Sequence, residues 1–413
     1  MSPINTNFSS TVIREAANTF GTPLYLYDEA AIRHAFLAWH EAPSHHSVLT
    51  CYAVKANSNI AVLQLLSRLG AGFDIVSQGE LERVLHAGGL PERIVFSGVG
   101  KSTAAIARAL EVGIKCFNVE SIRELEHINS VAAERGLSAK VSLRVNPDVD
   151  ANTHPYISTG LKSNKFGISH EEAVSAYRYA SSLAHLDVVG IDCHIGSQIT
   201  ELEPFLASLD RLLELIDQLA EDGIHLRHLD LGGGLGICYT DEQVPSAQSY
   251  IAAVSEKLGS RSLELVFEPG RSIVANAGIL ITEVILSKEN TGKHFAIVDA
   301  AMNDLMRPAL YQGHHHIDVV AGPRILAATE QSWDIVGPVC ETGDFLGLNR
   351  QLSIAERDLL VIHSAGAYGF TMSSNYNSRP RCAEVLLRKD QLVEIRSREV
   401  ITDLFAHEQL LAE

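Results

Sequence analysis

At 413 residues, with 46% hydrophobic and 20% charged residues, the chain has core material for two domains, or for one large barrel and a smaller partner. Lys plus Arg number 33 against 50 Asp plus Glu, a net charge of -17, so a broad nucleic-acid or anionic-membrane footprint is excluded and any anion must be bound locally. Six scattered cysteines without a CxxC pair, a polar start and no apolar run of membrane length predict a soluble, cytoplasmic protein with reduced thiols.

In chain order, Gly21-Thr22-Pro23 punctuates the sequence before a short strand, Leu24 to Tyr27, and Asp28 is placed to cap a helix through His34 and Phe36. From Val48 a regular alternation sets in. The uncharged run Val48 to Val54 reads as a strand buried on both faces, and it stops at a single lysine, Lys55. An ammonium pushed towards an apolar interior would be partly neutral, hence a nucleophile for carbonyl carbons and a candidate Schiff-base lysine.

Further strands are expected at Phe73 to Val76, Ile94 to Phe96, Lys115 to Val119, Val141 to Val145, Val188 to Cys193, His228 to Leu231 and Leu263 to Phe267. Between them lie helical patterns at Asn59 to Leu69, Gln78 to Ala87, Ser102 to Glu111, Ser121 to Arg135, His170 to Leu183, Leu202 to Ala220 and Ser249 to Leu258, with an interruption at Asn146 to Asn164. Eight apolar strands alternating with helices imply parallel pairing and a closed (β/α)8 barrel. An open doubly wound sheet would want a GxGxxG after its first strand, and none is present. Beyond Ala277 the pattern becomes strands separated by Gly, Asn and Asp turns. The expected division is a segment 1–35 that packs with the β domain, a barrel over 36–277, and an all-β domain over 278–413.

In such a barrel the C-terminal strand ends share one face, and a ring of polar residues falls there: Lys55, Asp74, Ser77, Ser97, Asn118, Glu120, Arg144, Asn146, His194, Ser197, Asp230, Glu268 and Arg271. Gly232-Gly233-Gly234 would on its own read first as a tight turn, but its place after the seventh barrel strand favours backbone amides converging on a phosphate. Glu268-Pro269-Gly270-Arg271 follows the eighth strand and Cys193-His194-Ile195-Gly196-Ser197 the sixth. A buried carboxylate suits a protonated pyridine nitrogen, and an imidazole can stack on such a ring. Lysine, glycines and glutamate together describe pyridoxal phosphate. His314-His315-His316 suggests metal at first sight, but neighbouring side chains diverge, so no metal site is expected.

The motifs Tyr-Ala-Val-Lys-Ala-Asn, His-Ile-Gly-Ser-Gln, Leu-Gly-Gly-Gly-Leu-Gly, Glu-Pro-Gly-Arg, Cys-Glu-Thr-Gly-Asp and Gly-Ala-Tyr-Gly resemble the alanine-racemase-fold group of pyridoxal-phosphate decarboxylases. With Met302 to Tyr311, Glu341 and Met372 to Asn377, the chain resembles the bacterial diaminopimelate decarboxylase family over nearly its whole length. The resemblance implies decarboxylation of meso-2,6-diaminopimelate to L-lysine. It assigns Lys55 to the Schiff base, His194 to ring stacking and Glu268 to the pyridine nitrogen. Asp74, Ser197, Gly233, Gly234, Gly270, Arg271 and Tyr368 would line the cofactor. Arg271, Arg307, Tyr311, Glu341 and Tyr368 would contact substrate, and Cys340 would donate a proton across the interface of a homodimer. Thr342 and Ala301 depart from the commoner serine and glycine without touching that chemistry. The nearest alternative is an ornithine, lysine or arginine decarboxylase on the same fold, whose substrates lack the distal carboxylate that Arg307 would grip. From another class, a non-catalytic cofactor-binding protein is disfavoured by the presence of both Lys55 and Cys340.

Overall fold

The computed structural model describes residues 8–149, 165–320 and 330–412. The chain divides into two compact units. One comprises Arg33–Ile237 with Gln243–Ser272; the other comprises Met1–Ile32, Cys238–Glu242 and Ile273–Glu413.

The first unit is a closed parallel barrel. Its eight strands are Val48–Ala53, Gly72–Ile75, Ile94–Phe96, Cys116–Val119, Ala139–Asn146, Leu186–Asp192, His228–Asp230 and Glu264–Phe267. Each pairs in parallel with the next, and the eighth returns to the first through Leu265↔Val48, which closes the ring. Leu49, Cys51, Val95, Cys116, Val189 and Val266 form one buried apolar cluster contributed by strands one, three, four, six and eight. That cluster makes a packed core rather than a pore, as small barrels require. The intervening helices begin where short polar side chains can serve their first amides: Asn59, Ser77, Ser102, Ser121 and Ser246 all accept such a bond. Ser77, placed in the polar ring by its position in sequence, is therefore a cap. A two-residue strand, Ile168–Ser169, pairs in parallel with the end of the fifth barrel strand at Val145 and Asn146; of the interruption expected at Asn146 to Asn164, residues 150–164 lie outside the described residues.

The second unit is a branched β-sheet. Leu24–Asp28 lies between Gly278–Asn290, antiparallel, and Ala383–Arg388, parallel. The long strand Gly278–Asn290 pairs with Leu359–Ile362 along its first half and with Lys293–Val298 along its second, with a register shift between Val284 and Leu286 that lets it serve both. Gln331–Val336 and Phe345–Leu352 continue the sheet beyond Lys293–Val298. A helix, Ser10–Phe20, capped by Ser9, lays Ile13, Ala16 and Ala17 into the same cluster as Leu24, Leu26, Ile279, Ile281 and Val385. All six cysteines are free, and among the described residues no helix is long and apolar enough to cross a membrane.

Candidate active site

In the barrel unit, the first strand ends at Ala53 and Lys55 stands in a single 3-10 turn, Val54–Ala56. Its Nζ lies 2.5 Å from Asp74 Oδ2; the lysine side chain is 38% exposed and the aspartate fully buried. The ammonium is thus held by a carboxylate at the barrel mouth, not driven into an apolar interior as the uncharged run before it suggests. Close by in sequence, Glu80 accepts the Val76 amide at 2.7 Å, and burial pushes its carboxyl up to about 7 against the opposing pull of that amide and of Lys55.

Asp192, Asp230 and Glu268, at the ends of strands six, seven and eight, bring carboxylate oxygens within 4.8 Å of one another, all buried. Three carboxylates cannot all ionise in that space. Burial first, then repulsion from Asp230, raises Asp192 and Glu268 well above the usual range; burial, with repulsion from Asp74 and against the pull of the Gly232 amide, lifts Asp230 to about 6. Asn118 donates to Glu268 Oε1 at 3.3 Å and to Asp230 Oδ2 at 3.4 Å, and Ser97 Oγ donates to Glu268 Oε1 at 3.4 Å. Asp192 and Glu268 are therefore the floor carboxyls whose protonated form is favoured.

A chain of charges runs along one side. Lys101 Nζ bonds Glu124, the Gly98 carbonyl and the Asn118 carbonyl; Glu124 takes the Glu120 amide; Glu120 bonds Arg144 at 2.8 Å and the Gly167 amide at 2.7 Å. Burial disfavours the Arg144 charge, and Glu120 and Asp192 outweigh it. Arg144 in turn donates to the His194 carbonyl at 3.3 Å and lies 4.9 Å from the Phe166 ring. Burial, then Arg144 and Lys55, hold the His194 imidazole well below its ordinary value, so it is neutral. The Gly233 amide donates to His194 Nδ1 at 3.2 Å, which places the ring proton on Nε2. These groups enclose a cavity of about 430 Å³ lined by Lys55, Arg144, Phe166, Asp192, His194 and Glu268. Asp192 Oδ1 has no hydrogen-bond partner there.

At the glycine loop, Gly232 donates to Asp230 Oδ1 and Gly233 to His194, so two of the three amides expected to face a phosphate have protein partners. Gly233 is required by packing: a Cβ there would lie 2.3 Å from the Glu268 carbonyl. Gly234, at φ +114°, keeps a conformation open only to glycine. Ser197 Oγ accepts from Arg271 Nη2 at 2.9 Å, and Gly270 packs so that a Cβ would sit 2.9 Å from that of Ala56. Asp192 and Glu80 were not among the sequence candidates; the signal available for Asp192 was a lone acid at the end of an apolar strand.

In the β unit, Asp344 accepts the Val339 and Met302 amides, both at 2.7 Å, and so shapes the loop that presents Cys340 and Glu341, both exposed. The Cys340 amide donates to Asn377 Oδ1 at 3.2 Å, and Tyr376 donates to Glu341 Oε1 at 2.5 Å. Arg307 opens the short helix Arg307–Tyr311 and is 7% exposed, with its guanidinium 4.6 Å from the Tyr239 ring. Tyr311 ends that helix half-buried, and half-buried Tyr368 takes a positive φ of 54°. The three consecutive histidines turn to three different partners: His314 to Arg350, His315 to Arg307 and His316 to Asp318.

A lysine, a protonated carboxyl floor and a neutral imidazole around one barrel-mouth cavity define a pyridoxal-dependent enzyme, and the profile of the family described as "Pyridoxal-dependent decarboxylase, pyridoxal binding domain" matches residues 29–275. The diaminopimelate decarboxylases of Pseudomonas aeruginosa and Pseudomonas fluorescens are 61% and 59% identical, over 96% of this chain and 94% and 95% of theirs. The crystal structure of diaminopimelate decarboxylase from Helicobacter pylori complexed with L-lysine superposes with a TM-score of 0.92 at 44% identity, covering 96% of this chain and 98% of that one. The chain belongs to the diaminopimelate decarboxylase family.

Proposed function

We propose that the chain removes carbon dioxide from meso-2,6-diaminopimelate to yield L-lysine, using pyridoxal phosphate. The observation that carries this reading is the barrel-mouth cavity, which puts the Lys55 amine on one wall and the proton-retaining Glu268 carboxyl on its floor. Independent observations support the cofactor: the volume suits a small-molecule site, Asp192 Oδ1 has no protein partner, and Arg271 is bonded to Ser197.

Pyridoxal phosphate supplies, when bound, an aldehyde carbon and an electron-withdrawing pyridine ring. Lys55 would hold the aldehyde and hand it to the substrate amine, and Asp74, its ion-pair partner, keeps the amine aimed at the mouth. Glu268 would hold the pyridine nitrogen and its proton; Asn118 and Ser97 orient that carboxyl. Neutral His194 presents an uncharged face to the ring, its tautomer fixed by Gly233. Ser197, Gly234, Gly270 and Arg271 would take the phosphate end and Tyr368 a further contact, with Gly233, whose amide serves His194, lining the cofactor without donating to it. Arg271, Arg307 and Tyr311 would bind the distal carboxylate, and Glu341 the distal amine. Cys340 Sγ would return a proton to the carbon that lost carbon dioxide. Exposed Cys340 and Glu341 fit a homodimer whose active sites lie at its interface, and free thiols fit a cytoplasmic location.

The test is lysine release by the purified protein with pyridoxal phosphate and meso-diaminopimelate, alongside carbon dioxide release from L-ornithine, L-lysine and L-arginine. Turnover of diaminopimelate alone is expected; turnover of a monocarboxylate instead would sink the role given to Arg307.

A further inference from the structure

Arg307 is a buried guanidinium, and a buried cation used for recognition needs its donors aimed before the ligand arrives, because a flexible arginine would lose side-chain entropy on binding. Three features aim it. The Tyr239 ring covers it at 4.6 Å, the Gly313 amide closes the turn onto the Arg307 carbonyl at 3.2 Å, and His315 Nε2 lies 2.7 Å from Nη1. His315 is fully buried, and its other nitrogen, Nδ1, is 2.8 Å from the His363 carbonyl. A carbonyl can only accept and a guanidinium can only donate, so Nδ1 must carry the proton and Nε2 must offer its lone pair. The anchor is itself fixed: the His363 amide donates to the His316 carbonyl, and the His363 imidazole meets Asp318 at 2.9 Å.

We infer that His315 is a positioning residue for substrate recognition: it fixes the rotamer of Arg307 by accepting one guanidinium hydrogen, so that the plane of the guanidinium is set before a carboxylate arrives. This rests on the reading of Arg307 as the group that binds the substrate's distal carboxylate. It assigns a task to a histidine that the chemistry does not otherwise use.

Two conservative variants separate positioning from mere support. In His315→Gln the amide oxygen falls near the place of Nε2 and keeps the acceptor facing Arg307. In His315→Asn the shorter amide falls near Nδ1, so it keeps the bond to the His363 carbonyl and loses the one to Arg307. With the holoenzyme, His315→Asn should raise the KM for meso-diaminopimelate about tenfold with kcat held within about threefold, as befits one lost hydrogen bond to a charged group. His315→Gln should stay within about threefold of the parent in both, again on the scale of a retained bond. Bound-cofactor absorbance should be unchanged in both. The reverse order, with Asn tolerated and Gln impaired, would show a structural anchor only and overturn the inference, as would equal behaviour of the two variants. Arg307→Met runs alongside. If it raises KM and the Asn and Gln variants do not differ, only the role of His315 fails; if it leaves KM unchanged, the reading of Arg307 fails and His315 with it.

Discussion

The barrel mouth and the Cys340 loop carry the two halves of the proposed chemistry in opposite ways. At the mouth, Asp74, Glu120 and Glu268 are buried and netted to neighbours, Asp74 to Lys55, Glu120 to Arg144 and Glu268 to Asn118. On the loop, Cys340 and Glu341 are exposed, and order comes from beneath, through the buried Asp344 carboxyl on two backbone amides. The difference follows from what each must do. A group that tunes a ring's electronics works by holding a proton that water would remove, which needs desolvation. A group that meets each incoming substrate must stay accessible and can leave its geometry to the backbone.

The sharpest way to break this contrast is to remove one working group from each side. Lys55→Ala should abolish turnover of diaminopimelate, and it should also remove the absorbance band of lysine-linked cofactor. Cys340→Ala should retain that band and slow kcat by about a hundredfold or more, the usual scale of a lost proton donor. Equal loss of the cofactor band in both variants would show that the loop, too, belongs to the cofactor site.

A gentler probe tests whether the net around the mouth matters more than any one member. Glu120→Gln keeps an acceptor for the Gly167 amide but leaves the buried Arg144 with a neutral partner, at a cost on the order of 1–3 kcal/mol in urea denaturation. Cofactor affinity should fall with it, since Arg144 and Phe166 line the cavity. Undiminished affinity would mean that the net supports the fold alone.

The same contrast explains what could be read from the chain. The barrel was legible because eight short, mostly apolar strands recur with helical patterns between them, five of those helices opened by a capping Asn or Ser. The lysine, the glutamate and the histidine could be named from their places at strand ends. What escaped was geometry that only closure creates. Asp192, Asp230 and Glu268 are distant in sequence, and nothing local says that their carboxylates share one proton-retaining pocket. Lys55 showed an apolar run before it but not Asp74 beside it. In the β unit, Phe345–Leu352 is hard to read as a strand because Asn349, Arg350 and Gln351 interrupt its apolar positions. The helix Ser10–Phe20 was overlooked although Ser9 and the spacing of Ile13, Ala16, Ala17 and Phe20 announce it.

The finest test uses pH and one carboxyl from each unit, Glu80 and Glu399, which are shifted in opposite directions. In the barrel unit, Glu80 rises from 4.5 to about 7, chiefly by burial. The folded unit therefore keeps, between those values, a proton that the unfolded chain has released, and the associated stability is present at low pH and lost as pH rises through 7. In the β unit, burial pushes Glu399 up, but the Arg381 amide and side chain and Asn375 outweigh it and bring it down from 4.5 to about 2. Its stability is present above 4.5 and lost as pH falls towards 2. Glu80→Gln, which mimics the protonated form, should gain on the order of 1 kcal/mol relative to the parent above pH 7, and nothing below 4.5. Glu399→Gln should be less stable than the parent above pH 4.5, converge with it as pH falls towards 2, and so flatten the acid side of the profile. Urea denaturation of both variants from pH 3 to 8 reads the sign directly, and a Glu80→Gln variant that loses stability at pH 8 would show that its bond to the Val76 amide outweighs the burial of its charge.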